Sequence, residues 1–356
     1  MQQMKLRMRN EGEMNMKIVA LDAYASNPGD ISWDEMRGLG ELVLYDRTQP
    51  DEEEDTNGRG GQSDNTGREA GLTNKIIERI GDAEAILTNK VEISDEIMAA
   101  CPNLKYIGVL ATGYNIIDVE AARRHGITVT NIPAYSTDSV AQFTFALLLE
   151  ICHRVGHHSE EVKNGRWTTC PDFCFWDGSL IELAGKKLGI IGFGTIGQKA
   201  ARIAEAFGME ILAYARHPKK ELESTHCHYV TLDELLAESD VISLHCPQTA
   251  ENAGMICQES IAKMKDGVIL INTARGGLIN EQDVADALTS GKLAAYGADA
   301  VIAEPINADN PLLTAPNCYL TPHIAWAPYE ARVRLMDISI ENLRAWQQGA
   351  PQNVVS

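Results

Sequence analysis

Cations are scarce in this sequence: 31 Lys and Arg stand against 50 Asp and Glu, a formal net charge of −19 over 356 residues. A surface of that sign repels phosphate backbones and anionic lipid, so neither nucleic acid nor a membrane surface is expected as a partner. Long hydrophobic runs are also lacking. The longest apolar stretch, Phe143 to Leu149 with its flanks, falls far short of the roughly 20 residues that cross a bilayer. Paired cysteine spacing is missing as well. The eight cysteines are scattered from Cys101 to Cys318, several inside apolar strand-like runs, and suggest no disulfide framework. Near the N-terminus, Lys5, Arg7, Arg9, Glu11 and Glu13 stand where a secretory leader would carry its apolar segment. A soluble protein of the reducing cytoplasm is the expectation. What remains is ordinary globular composition, 44% hydrophobic and 23% charged, at a length that suits two domains or one large one.

Residues 1–15 are polar, Met-rich and aperiodic. They read as a disordered extension, or as an upstream misassigned start with Met16 as initiator. From Met16 onward β-branched runs alternate with helical patterns, with strands near 16–23, 41–47, 84–89 and 104–111 and a helix over 94–100. Such alternation predicts a parallel sheet with crossovers. The interruption at 49–69 carries seven acidic residues and reads as an exposed mobile loop. A helix over 139–155, apolar on nearly every face, is expected to start on a capping box of Ser139 and Gln142 and to be covered on several sides, by core or by another subunit. His153, His157 and His158 suit its negative C-terminal end. Six further strands then follow, at 188–192, 210–216, 241–246, 267–273, 294–301 and 319–321, and predict a six-stranded doubly wound domain.

Within that domain, Gly192-Phe-Gly194-Thr-Ile-Gly197 directly follows an apolar strand and directly precedes an amphipathic helix. That context makes the motif a dinucleotide cradle: Gly192 for the tight turn, Gly194 for close approach of a pyrophosphate, Gly197 for helix packing, and the amides of Thr195 and Ile196 at a positive helix end. The acid that would accept from an adenosine ribose hydroxyl about 20 residues on is absent. Ala215 and Arg216 occupy its place, and a guanidinium pairs with a 2′-phosphate where a carboxylate would repel it. NADP(H) is therefore favoured, with NAD(H) as the alternative should Arg216 be only a solvated surface residue. His226-Cys227-His228, and Cys170 with Cys174, lack a second ligand pair at zinc-like spacing and read as strand and packing residues, with no metal expected.

Three further residues follow strand ends, where ligands of doubly wound sheets lie: Arg275, Glu304 and His323. Together they suit reduction of a 2-oxo acid. The guanidinium holds carboxylate and polarises the ketone, the imidazolium delivers a proton, and the carboxylate keeps that imidazole oriented and charged. No nucleophile elbow is present, so hydrolysis is not supported.

With these motifs the chain resembles the D-isomer-specific 2-hydroxyacid dehydrogenases over Met16 to Gly349. The carriers are the GFGTIG loop, LHCPQT at 244–249, NTARGG at 272–277, GADAVIAEP at 297–305 and TPHIAWA at 321–327. The resemblance implies that Arg275 and Glu304 are catalytic and His323 is the proton donor. It further implies that Asp299 holds the nicotinamide carboxamide, and that Thr195, Ile196, Cys246, Pro247, Thr273 and Ala274 line the cofactor. The implied fold class is α/β, with a Rossmann-type doubly wound domain at 115–325 and a smaller flavodoxin-like substrate domain split between 16–114 and 326–352. The chemistry would lie between the two, and a homodimer through the dinucleotide-binding domain is implied.

Within the family, TNK at 88–90, GVLATGYN at 108–115, PAYSTDSVAQ at 133–142 and DFCFWD at 172–177 are similar to the glycerate dehydrogenase, or hydroxypyruvate and glyoxylate reductase, branch. The backbone amides of Thr112 and Gly113, with Lys90 nearby, would then grip the substrate carboxylate opposite Arg275. Two alternatives stay open. One is another family substrate such as 3-phosphoglycerate or D-lactate; the other is a dinucleotide-sensing interaction protein of the corepressor type.

Overall fold

A computed structural model describes residues 16–48 and 65–356; the predicted extension at 1–15 and the predicted loop at 49–64 lie outside the described residues. Residues 65–69, read above as the end of that loop, belong instead to the helix Asn65–Ile80. Alternation of strand and helix along the chain produces two compact units, one of 16–48, 65–135 and 329–356, the other of 136–328.

In the first unit, β1 (Lys17–Ala20), β2 (Glu41–Leu44), β3 (Ala85–Thr88), β4 (Tyr106–Val109) and β5 (Thr128–Thr130) pair in the order β2-β1-β3-β4-β5, all parallel. β3 and β4 are buried at every residue, as central parallel strands covered on both faces must be. Val19, Ile86, Ile107 and Val129 line one face and pack with Ile97 of the helix Asp95–Ala100 and Ala121 of the helix Val119–Arg124. Both helices start on a side-chain cap, Ser94 accepting from the Ile97 amide and Asp118 from the Ala121 amide, which satisfies donors that have no partner within the helix. Against the other face the helix Tyr329–Gln347 brings Trp346 to within 5.1 Å of Tyr106, centroid to centroid. Because β5 pairs with β4, residues 115–135 join this unit. The division therefore falls at 135/136 and 328/329, where the sequence suggested 114/115 and 325/326. The strand order, 2-1-3-4-5, is that of flavodoxin-like folds.

The second unit is a seven-stranded parallel sheet, ordered β12-β11-β10-β9-β6-β7-β8. Its strands are β6 (Lys187–Ile191), β7 (Glu210–Tyr214), β8 (Cys227–Tyr229), β9 (Val241–Leu244), β10 (Val268–Asn272), β11 (Leu293–Ala298) and β12 (Cys318–Leu320). The strand beyond the predicted six is β8, a three-residue edge piece anchored by the buried Cys227 and by Tyr229, whose ring packs on Phe193. Strand order reverses between β6 and β9, so the loops that leave these two strands face one crevice at the carboxyl edge. One face packs Ile190, Ile211, Val241 and Ile269 against Phe145, Leu148 and Ile151 of the helix Thr137–His153 and against Ala200 and Ala204 of the helix Thr195–Ala206. The other packs Leu244, Leu270 and Tyr296 against Leu235, Val284 and Leu288.

The helix Thr137–His153 starts two residues earlier than the sequence suggested and without the expected capping box. Ser136 is the cap residue, and the Ser139 hydroxyl instead donates to the Ser136 carbonyl at 2.9 Å. Arg154 in the left-handed region ends it. His157 and His158 thus lie in a separate helix, Val155–Lys163, where His157 sits 2.7 Å from Asp177. Among the described residues no helix is long and apolar enough to cross a membrane, and no group of three or more His, Cys, Asp or Glu is arranged to hold a metal ion.

Candidate active site

Gly192 ends β6 with φ +100°, a backbone that L side chains rarely adopt. A Cβ there would stand 2.5 Å from the Cys246 amide nitrogen and 2.7 Å from the His245 carbonyl carbon, so the glycine is what lets the turn after β6 press against the turn after β9. A Cβ on Gly197 would strike the Gly192 carbonyl oxygen, whereas Gly194 borders open space. Beside that space, Thr195 and Ile196 open a twelve-residue helix, and first-turn amides have no carbonyl one turn back to pair with. Bare backbone and first-turn amides at a positive helix end, bordering open space, fit a pyrophosphate. Ala215 and Arg216 follow β7, and the exposed guanidinium of Arg216 lies 3.3 Å from the Thr249 hydroxyl and 3.4 Å from Glu251. Cys246 and Pro247 form the turn after β9, tied by Asn252, whose amide donates to the Pro247 carbonyl at 2.9 Å. Burial pushes the Cys246 thiol up and the His245 ring down to about 4, so both are neutral at physiological pH.

Arg275 owes its position to β10. The last residue of that strand, Asn272, is fully buried; its amide donates to the Arg275 carbonyl at 2.9 Å and its oxygen accepts from the Ala274 amide at 3.1 Å. Thr273 is fixed on the other side by a 3.0 Å bond to Thr144. Gly276 follows because a Cβ there would run into the Val301 carbonyl group, which draws the Arg275 loop against the loop after β11. The Arg275 guanidinium itself is exposed and donates to its neighbour's carbonyl, Ala274, at 2.8 Å.

Two loops bring Glu304 and His323 together. His323 Nδ1 lies 2.7 Å from Glu304 Oε2, each side chain about a quarter to a third exposed. The Glu304 loop is anchored by Glu281, which accepts from the Ile302 amide at 2.9 Å and from Asn310 at 2.8 Å. His323 sits at φ +56°, uncommon for a residue with a side chain. Asp299, 2% exposed at the end of β11, holds that turn: it accepts from Thr321 Oγ1 at 2.6 Å and from the amides of Ile324 and Ala325 at 2.9 and 2.7 Å. Burial pushes the Asp299 carboxyl up, while those donors and the nearby His323 oppose the shift. The sequence pointed to Asp299 only as a cofactor ligand; its grip on the histidine turn, and the anchoring by Asn272 and Glu281, were not foreseen. Their signal was weak, a polar residue at a strand end and an acid in a helix first turn, both common for other reasons.

In the first unit the predicted substrate residues lie at the carboxyl ends of neighbouring strands. Lys90 follows β3, its amide donating to Asp22 at 2.6 Å. Thr112 and Gly113 form the turn after β4, where the Thr112 hydroxyl donates to the Ile132 carbonyl and its own carbonyl accepts from Asn131, both at 2.8 Å.

Residues 145–325 match the family model described as "D-isomer specific 2-hydroxyacid dehydrogenase, NAD binding domain". The chain is 53% identical over 341 residues to a hydroxypyruvate reductase of Blautia hydrogenotrophica, covering 96% of this chain and all of that one. It is 40% identical to a glycerate dehydrogenase of Methylorubrum extorquens over 79% of this chain and 88% of that one. Among solved structures it is similar to an acyclic imino acid reductase (Bsp5) in complex with NADPH and D-Arg, with TM-score 0.76 and 28% identity over 96% of this chain and all of that one. The second unit is thus a domain for a nicotinamide dinucleotide, and Arg275, Glu304 and His323 lie on the loops that follow its strands β10, β11 and β12. The chain belongs to the D-isomer-specific 2-hydroxyacid dehydrogenases.

Proposed function

We propose that the protein reduces hydroxypyruvate, and glyoxylate as a smaller substrate, to D-glycerate and glycolate. The observation that carries this reading is the 2.7 Å contact of His323 with Glu304 on the loops beside Arg275, in a chain similar over its length to a hydroxypyruvate reductase. With Nδ1–H given to Glu304, Nε2 is the ring nitrogen left to deliver the proton to the substrate oxygen. Arg275 takes the substrate carboxylate and polarises its ketone. In the first unit, the amides of Thr112 and Gly113 and the Lys90 ammonium are assigned to the same carboxylate. When bound, the dihydronicotinamide supplies the hydride that adds to C2 of the acid. Gly192, Gly194, Thr195, Ile196 and Gly197 hold its pyrophosphate, with Cys246, Pro247, Thr273 and Ala274 lining the rest. Asp299, in addition to gripping the 321–325 turn, is assigned to the carboxamide.

NADP(H) is the preferred form because Arg216 stands where an acid would select NAD(H). Glu251, 3.4 Å away, draws on the same guanidinium and leaves NAD(H) usable. Oxidation of NADPH and NADH with each oxo acid tests both statements. Turnover on hydroxypyruvate with a lower KM for NADPH is expected, and Arg216→Ser should raise that KM about tenfold while leaving the KM for NADH unchanged. Cofactor binding without turnover on any 2-oxo acid would overturn the enzymatic reading. We further assign to the protein a homodimer formed through the dinucleotide-binding unit, where exposed Trp167, Phe173 and Trp176 offer apolar side chains to a second copy; a mass of one chain by light scattering would remove the dimer. A cytoplasmic location is assigned on the eight cysteines, whose scattered spacing suits a reducing compartment.

A further inference from the structure

The buried carboxylate of Asp22 takes no part in the chemistry described so far, yet it sits at the position in the first unit where ligands of such sheets bind. Strand order in that sheet reverses between β1 and β3, and Asp22 is the second residue after β1. It is 8% exposed. Its partners among the described residues include backbone amides of the loop after β3. Oδ1 accepts from the Asn89 amide at 2.8 Å and Oδ2 from the Lys90 amide at 2.6 Å. Burial pushes this carboxyl up and the amides pull it back, the balance of a group placed for its geometry rather than for its charge.

Asn89, 6% exposed, passes that constraint to the next strand. Its side-chain amide donates to the Leu110 carbonyl at 2.7 Å and to the Ser26 hydroxyl at 3.2 Å. Leu110 in turn donates its own amide to Thr88 at 2.7 Å and opens the turn Ala111-Thr112-Gly113. From the far side Ile132 closes the turn, its amide on the Ala111 carbonyl at 3.0 Å and its carbonyl receiving the Thr112 hydroxyl. The loops after β1, β3, β4 and β5 are thus joined in one hydrogen-bonded chain that ends at the two amides assigned to the substrate carboxylate, with Lys90 attached midway.

We propose that Asp22, acting through Asn89, is the positioning residue that sets the substrate-carboxylate cradle of the first unit. This inference rests on the reading of Thr112 and Gly113 given above. A carboxylate is required at 22 because both of its oxygens accept from backbone N–H groups; an amide would turn a donor toward one of them. Binding of a carboxylate by fixed amides is the same in ground and transition states, so its loss raises KM and leaves kcat nearly unchanged.

The test uses the full-length enzyme with Asp22→Asn and Asn89→Ala. Asp22→Asn is nearly isosteric, and Asn89→Ala breaks only the link to Leu110 and Ser26. We expect each to raise KM for hydroxypyruvate about tenfold, to keep kcat within about twofold, and to leave NADPH affinity by fluorescence titration as in wild type. A lowered melting temperature with unchanged KM would overturn the inference and make the pair purely structural. So would equal losses in kcat and NADPH affinity, or failure of both variants to fold. Wild-type enzyme that does not turn over hydroxypyruvate would overturn the parent reading itself, and is recognised before any variant is made.

Discussion

At the scale of single residues, position is set by groups that never meet the substrate. The His323 turn, at positive φ, is held by Asp299 through Thr321 and the amides of Ile324 and Ala325, and the ring meets Glu304. His323→Ala should lower turnover by about 10²- to 10⁴-fold, the range for a lost general acid, with NADPH affinity in a fluorescence titration unchanged. With the guanidinium serving binding and polarisation alike, as proposed, Arg275→Ala should raise KM and lower kcat together; steady-state kinetics on hydroxypyruvate checks it. Asp299→Asn keeps the shape but turns a donor toward at least one of three existing donors. Leaving buried partners mismatched costs about 1–3 kcal/mol, visible in a denaturant titration. Arg275, Glu304 and His323 stood out in the sequence because each follows an apolar strand run and is of a residue type that suits the proposed chemistry, and the structure brings Glu304 and His323 into contact. Asn272, Glu281 and Asp22 did not: Asn272 holds only its own loop, and Glu281 and Asp22 accept from groups 21 to 68 positions away that folding alone brings near.

At the scale of elements, strands and glycines were the legible parts. Continuous apolar runs such as 268–271 are buried at every position, and burial on both faces is what removes polar residues from the middle of a central parallel strand. Short edge strands carry no such signal: Thr128–Thr130 and Cys227–Tyr229 have three residues each, and the first of them moves the domain division by some twenty positions. Caps misled for a related reason. Ser139 and Gln142 have the right spacing for a capping box, but the chain already turns at Ser136. Gly192 presents the opposite case, a local motif whose reason is tertiary. Gly192→Ala would combine strain at φ +100° with a Cβ against the Cys246 amide, so cofactor affinity should fall more than tenfold and the melting temperature with it, measured by titration and calorimetry.

At the scale of the whole molecule, stability should respond to acid through His245. Its imidazole, 2.9 Å from the Ser243 hydroxyl, is pushed down to about 4 by burial, against about 6.5 in an unfolded chain. Between those values the unfolded chain binds a proton that the folded one refuses. The stabilising contribution is therefore complete above about pH 6.5 and is lost as pH falls toward 4, with an upper bound of about 3 kcal/mol. Melting temperatures from pH 7.5 to 5 should show a smaller decline in His245→Gln than in wild type. Equal slopes would place the acid sensitivity in another group.

The amino-acid sequence by itself determined the class of fold and the family, and pointed to the proposed nucleotide cradle and the three candidate reacting side chains, because apolar periodicity, a glycine spacing and residue chemistry are local properties. Tertiary structure alone decided which polar groups hold those side chains in place. Asp22 meets Asn89, and Asp299 meets Ala325, across stretches of chain whose closure depends on strand order and register. A hydrogen bond between residues distant in sequence leaves no pattern in the residues that make it.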